Sequence, residues 1–411
     1  MEVIVVGAGV GGLTLAMKLH QIGIKCRVFE AAAEIRAIGA GINVLPHATQ
    51  VLCDLGLEDA LARVSVATSE QAFFNRFGQL IYREPVGRNA GYATPQFSIH
   101  RGELQRVLHE AARKRLGEER VLTGWRLVRA EQDDNGAVAY FEDPEGRRLE
   151  PQRADVVVGC DGINSMLRKQ FYPDEGPPKY SGVNMWRGVT PWKPFLSGAT
   201  MVRAGWLATG KMVIYPIRNN IDNQGRQLVN WVAEVETPHY EGRDWNRKGR
   251  LEDFIGYFED WHFDWMDVPE LIRGADSILE FPMVDQDPLE RWSFGRLTLL
   301  GDAAHPMYPR GSNGAGQAVL DAKCLAENLR QHDDPVEALK AYEFERLPVT
   351  AKVVLTNRST PPDVIIKEVY DRTGDKPFDR IEDVISQDEL RELSEGYKRI
   401  AGFDRNSLRS S

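Results

Sequence analysis

The first thirty residues constrain this chain more than any other stretch. Residues 2–6, EVIVV, form a short β-branched run, Gly7-Ala8-Gly9-Val10-Gly11-Gly12 follows, and Leu13, Leu15, Ala16 and Leu19 then carry an apolar helix. A second strand, KCRVFE at 25–30, ends in Glu30, eighteen residues past Gly12. A strand, a G-x-G-x-x-G turn, a helix and a strand at this minimal length open a doubly wound, Rossmann-like α/β sheet. Gly7 permits the tight turn, Gly9 lets the backbone approach a pyrophosphate, and Gly12 lets helix and strand pack closely. A carboxylate at Glu30 accepts hydrogen bonds from a ribose hydroxyl, so an adenine dinucleotide is expected. The fingerprint alone leaves FAD and NAD both open.

Two later runs, ADVVVGCDG at 154–162 and RLTLLGDAA at 296–304, are continuous and apolar, as central parallel strands covered on both faces require. Three distant parts of the chain are thus expected to feed one sheet. Between them the texture changes: 72–84 and 178–275 alternate and are rich in aromatics, and seven of the nine tryptophans lie in 178–275. The expected organisation is a discontinuous α/β domain over 1–70, 97–177 and 276–355. A β-rich substrate domain over 71–96 and 178–275 is inserted into it, and a C-terminal helical segment covers 356–411.

With 411 residues there is chain enough for two cores. A net charge of −9 gives no electrostatic reason to expect nucleic acid or an anionic membrane as partner. No run approaches the roughly 20 apolar residues of a membrane span, and the apolar start lacks the basic flank of a signal peptide. Cys26, Cys53, Cys160 and Cys324 have no disulfide or zinc spacing and are expected to be buried thiols in a cytoplasmic protein. The eight histidines include no metal-binding pattern, so no metal is expected.

Cys160-Asp161-Gly162-Ile163-Asn164-Ser165-Met166-Leu167-Arg168 resembles the DGxxSxxR element of the single-component flavoprotein aromatic hydroxylases, the para-hydroxybenzoate hydroxylase-like FAD monooxygenases. Gly301-Asp302-Ala303-Ala304-His305 with Pro309 resembles their GDAAHxxxP element. The order of motifs matches over about 350 residues, from the glycine loop through the Arg101–Gln105 helix to Tyr342-Glu343 and Arg346-x-Pro348. Segments 94–105, MWRGVT at 185–190, 245–253 and FPMVDQDPLERW at 281–292 are similar to the phenazine-carboxylate hydroxylase branch.

The resemblance implies bound FAD and a transient NADH or NADPH donor, with no second nucleotide fingerprint needed. It implies that reduced flavin adds O2 at C4a and that the hydroperoxide hydroxylates an aromatic or N-heteroaromatic, carboxylated small molecule. A flavin dehydrogenase or reductase, or a non-catalytic flavin-binding protein, is the alternative. On the family pattern Gly7, Ala8, Gly9, Gly11, Gly12, Glu30, Arg36, Arg101, Gln105 and Asp161 hold the cofactor. Asp302 accepts from a ribityl hydroxyl, and Gly311, Ser312, Asn313 and Gly314 follow the ring. Pro309 and Gly311 are the flavin-ring loop residues nearest the chemistry. His305 is expected to serve packing, and Arg168 the DG turn, the nicotinamide phosphates or a structural ion pair. Trp186, Arg187, Tyr215, Trp231 and Met283 are expected to wall the substrate pocket. Many members read PxxGxG after GDAAHxxx, whereas here Pro309-Arg310-Gly311-Ser312-Asn313-Gly314 puts a cation beside the ring. A monomer or homodimer is expected.

Overall fold

The computed structural model describes residues 1–35, 39–237 and 248–409. Five parallel strands form the first sheet, in the order Val121–Thr123, Lys25–Glu30, Glu2–Val6, Val156–Gly159, Leu297–Leu299. In chain order this is 3-2-1-4-5, the Rossmann arrangement, which reverses direction between Glu2–Val6 and Val156–Gly159 and opens a ligand crevice there. The β-branched runs are dictated by burial on both faces: Val3, Ile4, Val5, Val156, Val157 and Val158 are all 0% exposed. Helices Val10–Gln21, Arg101–Leu116 and Gly314–Gln331 complete that core. A Cβ on Gly12 would stand 2.1 Å from the Gly7 carbonyl oxygen, so only glycine lets the first helix start this close to its strand.

The second sheet has seven strands, in the order Ile278–Asp285, Lys179–Trp192, Gln227–Glu236, Lys211–Arg218, Thr200–Ala204, Glu70–Phe74, Leu80–Pro85. One face packs into an aromatic core containing Trp186, Trp231, Trp261, Phe254 and Phe258. Trp245 lies outside the described residues. The expected boundaries need correction at two points. Strand Ile278–Asp285 pairs antiparallel with Lys179–Trp192 and so belongs to the inserted sheet, not to the α/β domain. Helix Pro335–Ser359 runs unbroken through the expected boundary at 355, and the C-terminal unit begins after it. A three-stranded sheet of Gly41–Val44, Gln96–His100 and Ser65–Thr68 joins the two domains.

The C-terminal helices Val364–Thr373 and Gln387–Ala401 do not stand apart. Ile365, Ile366, Val369 and Leu390 pack on Phe73, Ile81 and Tyr82 at the end of the seven-stranded sheet. No helix among the described residues is long and apolar enough to cross a membrane. All four cysteines are free, but only Cys26 and Cys324 are buried; Cys53 and Cys160 are half-buried.

Candidate cofactor and substrate site

One cavity of about 340 Å³ runs from the glycine loop to the face of the seven-stranded sheet. Its first end is built by Gly9, Val10 and Gly11 at the start of helix Val10–Gln21. A Cβ on Gly9 would meet nothing within 4 Å, so the loop's open side faces empty space. The loop is held from behind. Ala8 donates its N–H to Glu30 Oε2 at 2.8 Å, Ala32 donates to Oε1 at 2.9 Å, and Gln105 Nε2 donates to the Ala8 carbonyl at 2.8 Å. Gln105 therefore braces the loop rather than lining the cavity. Arg101, one turn before it, is exposed and does line it. Arg36 lies outside the described residues.

Strand Leu297–Leu299 delivers Gly301 and Asp302 to the middle of the cavity. Asp302 is exposed toward it and forms no hydrogen bond or ion pair within the chain among the described residues. Beyond it Pro309, Arg310, Gly311, Ser312, Asn313 and Gly314 all line the wall. Gly311 has φ +77° and Ser312 φ +58°, so the loop turns back on itself before helix Gly314–Gln331 starts. That helix has no side-chain cap, which leaves its first amides free toward the cavity, where Gly314 and Ala315 sit.

His305 is not at the cavity. It is buried, with Nε2 2.5 Å from Asp321 Oδ2, and Asp321 also accepts from Arg346 Nε at 2.7 Å and from the Gly301 N–H at 3.1 Å. Burial pushes the Asp321 carboxyl up, but His305 and Arg346 outweigh it and hold it below its ordinary range. Arg168, also buried, donates to the carbonyls of Ala303 and Ala304 at 3.0 and 2.9 Å and pairs with Glu175. It fixes the turn after Asp302 and has no free guanidinium face for a nicotinamide phosphate. Asp161 is not in the lining, although Cys160 and Gly162 on either side of it are. Its Oδ2 accepts from the Met166 N–H at 2.8 Å, Oδ1 is buried without a partner, and burial raises its pKa.

The substrate end follows the pleat of the sheet, in which alternate residues face opposite sides. Met185 and Arg187, Val232 and Glu234, Lys211, Val213 and Tyr215, and Met201 and Arg203 face the cavity. Three expected wall residues are therefore corrected. Trp186 and Trp231, one residue out of phase with Arg187 and Val232, point into the aromatic core on the other face. Trp231 donates Nε1–H to Thr190 Oγ1 at 3.1 Å, and Trp186 stacks on Phe254 at 4.9 Å. Met283 packs with Tyr215 and Val213 on the cavity side but is 0% exposed and does not reach the lining. Arg203, Lys211 and Glu234 were missed, although lone charges inside the apolar runs TMVRA and KMVIY are a readable signal. Asp363, from the C-terminal unit, also lines the wall and carried no sequence signal.

The donors and acceptors fit FAD: open amides at both helix starts, a free carboxylate at Asp302, and a cavity continuous from one glycine loop to the other. The FAD binding domain family matches residues 1–250 and 274–357. The phenazine 1,6-dicarboxylic acid hydroxylase PhzS of Lysobacter antibioticus is 42% identical over 87% of this chain and 89% of that protein. The chain belongs to this family, the FAD-dependent aromatic hydroxylases. Among its other relatives, the 6-hydroxynicotinate 3-monooxygenase of Pseudomonas fluorescens is 31% identical over 86% of this chain and 89% of its own length. The crystal structure of Klebsiella pneumoniae HpxO complexed with FAD and uric acid superposes with a TM-score of 0.78 at 26% identity, covering 99% of this chain and 97% of that one.

Proposed function

We propose that this hydroxylase uses NADH or NADPH and O2 to hydroxylate a flat aromatic or N-heteroaromatic carboxylate. The observation that carries the reading is the single cavity that joins the dinucleotide loop, the Asp302 loop and a partly cationic sheet face. A relative that acts on phenazine 1,6-dicarboxylic acid and another that acts on 6-hydroxynicotinate support an acidic heteroaromatic substrate.

In this reading the amides of Gly9, Val10 and Gly11 receive the pyrophosphate, with helix Val10–Gln21 adding the positive end of its dipole. Gly7, Ala8 and Gly12 set the loop's path, while Glu30 and Gln105 hold it in shape. Glu30 also keeps a lone pair for the ribose, Arg101 covers the phosphate or ribityl side, and Asp302 accepts from a ribityl hydroxyl. Pro309, Gly311, Ser312, Asn313 and Gly314 run beside the ring, and the uncapped amides of helix Gly314–Gln331 stabilise negative charge on its edge. Asp161 acts from one layer back, by fixing the turn that carries Cys160 and Gly162. FAD bound there supplies reduction by a nicotinamide and transfer of one atom of O2 to an electron-rich ring, the other atom leaving as water. Val213, Val232 and Met185 exclude water from the reacting ring, and Arg187 and Tyr215 orient it.

The test is a panel of aromatic acids scored for stimulated NADH and NADPH oxidation, with the product identified by a mass gain of one oxygen. Turnover without oxygen consumption would instead make the chain a dehydrogenase on the same fold.

A further inference from the structure

The sheet face of the cavity carries more positive charge than the chain balances. Arg187, Arg203, Lys211 and Arg310 line it, against the carboxylates of Glu234 and Asp363. Two of the cations are engaged. Lys211 Nζ lies 2.6 Å from Asp363 Oδ2 and 3.0 Å from Glu234 Oε2, and Arg203 Nε lies 3.2 Å from Asp363 Oδ1. Burial pushes the Asp363 carboxyl up, but Lys211 and Arg203 outweigh it and hold it below its ordinary range, and the cluster pairs two cations with two carboxylates.

The other two cations have no carboxylate at ion-pair distance among the described residues, although the charge of Arg310 reaches Asp363. Arg187 donates Nη2–H to the Gly41 carbonyl at 2.8 Å and lies against the Tyr215 phenol, while its buried Nε has no acceptor. Arg310 also has a buried Nε without an acceptor, and its Cζ lies 5.9 Å from the centre of the Tyr308 ring. Neither forms an ion pair among the described residues. Both side chains are half-buried, and a buried Nε–H left without an acceptor is costly unless a ligand completes it.

Their positions fix the shape of that ligand. Arg187, Val232, Val213 and Arg203 form one row across four adjacent strands by register. The two ends of the row are three strand spacings apart, roughly 14 Å at the backbone, with the valine pair as a flat apolar floor between them. Arg310 comes from the ring loop on the Arg203 side, where its charge acts on the Asp363 carboxyl.

We propose that Arg187 and Arg310 each receive a carboxylate, so that the site takes a flat fused-ring aromatic dicarboxylate lying across Val232 and Val213. This rests on the aromatic-acid reading above and adds the number of acid groups and the residues that recognise them. Guanidinium and carboxylate pair in a planar, two-pronged geometry, so a substrate lacking one acid leaves one guanidinium with its buried Nε–H unpaired.

The test titrates FAD-loaded enzyme with phenazine-1,6-dicarboxylate, phenazine-1-carboxylate and unsubstituted phenazine, following the flavin absorption band, and repeats turnover with each. In the wild type the dicarboxylate is expected to bind at least about tenfold tighter than the monocarboxylate. In Arg310→Gln and Arg187→Gln that ratio is expected to fall toward one, with Arg310→Lys intermediate and FAD content retained. A ratio unchanged in Arg310→Gln overturns the proposal. So does a lowered flavin midpoint potential with the ratio intact, or loss of FAD from Arg310→Gln and Arg310→Lys alike, because either result assigns Arg310 to the cofactor. Equal binding and hydroxylation of the mono- and dicarboxylate overturns the two-acid assignment and leaves the aromatic-acid reading standing. Hydroxylation of the uncharged arene alone overturns both.

Discussion

Tyr397 stands against Gly311: a Cβ added to that glycine would fall 1.9 Å from the phenol oxygen. The same oxygen accepts from Asn313 Nδ2 at 3.0 Å and donates to Asn357 Oδ1 at 2.7 Å. The C-terminal helix Gln387–Ala401 thus presses on the ring loop and holds it by its middle. This contact accounts for the unusual glycine spacing there, since a side chain at 311 would meet Tyr397 and would also need φ +77°.

Gly311→Ala is therefore expected to loosen the whole Pro309–Gly314 path. Forcing a side chain into that backbone region costs about 1–3 kcal/mol before the clash is counted. We expect the FAD dissociation constant to rise at least about tenfold, with the far-UV circular dichroism unchanged. Tyr397→Phe is milder, losing about 1–2 kcal/mol of thermal stability as Asn313 and Asn357 each lose a partner. An alanine variant that retains FAD as the wild type does would show that the C-terminal helix does not shape the site.

Asp302 and His305 are three residues apart and face opposite ways, so their alanine variants should fail differently. Asp302→Ala removes a free carboxylate from the cavity wall, and FAD retention is expected to drop about tenfold while unfolding is little changed. His305→Ala strips one partner from buried Asp321, and about 1.5–3 kcal/mol of stability is expected to go with it. Dialysis against FAD-free buffer and urea unfolding separate the two; equal loss of flavin in both variants would contradict the assignment.

The sequence made the parallel sheet and both glycine loops legible because each is written locally. A strand buried on both faces is an unbroken β-branched run, and a close backbone approach demands glycine at one spacing. The substrate face was not legible in the same way. Strands Lys179–Trp192 and Gln227–Glu236 are buried on both sides, so no polar and apolar alternation tells which residues face the cavity. Trp186 and Trp231 are expected in the wall from the aromatic richness of the inserted sheet, and the pleat assigns the wall to their neighbours. Asp363 and Tyr397 reach the site only through the docking of the C-terminal helices, a long-range contact with no local pattern.

Acid stability depends on His47, which is buried beside the start of helix Gly314–Gln331 and stacks on Phe403 with ring centres 5.5 Å apart. Burial, with Arg346 adding to it, pushes the imidazole down to about 3. The unfolded chain takes up that proton near pH 6.5 and the folded one does not. The contribution is thus complete above about pH 6.5 and is lost as the pH falls toward about 3, with a slope of up to about 1.4 kcal/mol per pH unit. Urea unfolding at pH 7, 6 and 5 should show this slope in the wild type and a flatter one in His47→Gln. The same slope in both would place the acid sensitivity elsewhere.

Trp231 and Val232 are chain neighbours on opposite faces of one strand, and this separates stability from recognition. Trp231 is 0% exposed in the aromatic core, so Trp231→Ala is expected to cost about 3–5 kcal/mol of unfolding free energy. Because its side chain never reaches the cavity, KM measured below the unfolding range should stay within about twofold. Val232→Phe reverses the pattern. Val232 packs with Val213 and Tyr215 but also lines the cavity, so the larger ring takes up cavity space at a smaller cost in stability than Trp231→Ala, while a flat substrate loses its floor and KM rises about tenfold or more. FAD content measured alongside keeps a cofactor defect from being mistaken for a substrate one. If Trp231→Ala raised KM and left stability intact, the assigned facing of the whole sheet would be wrong.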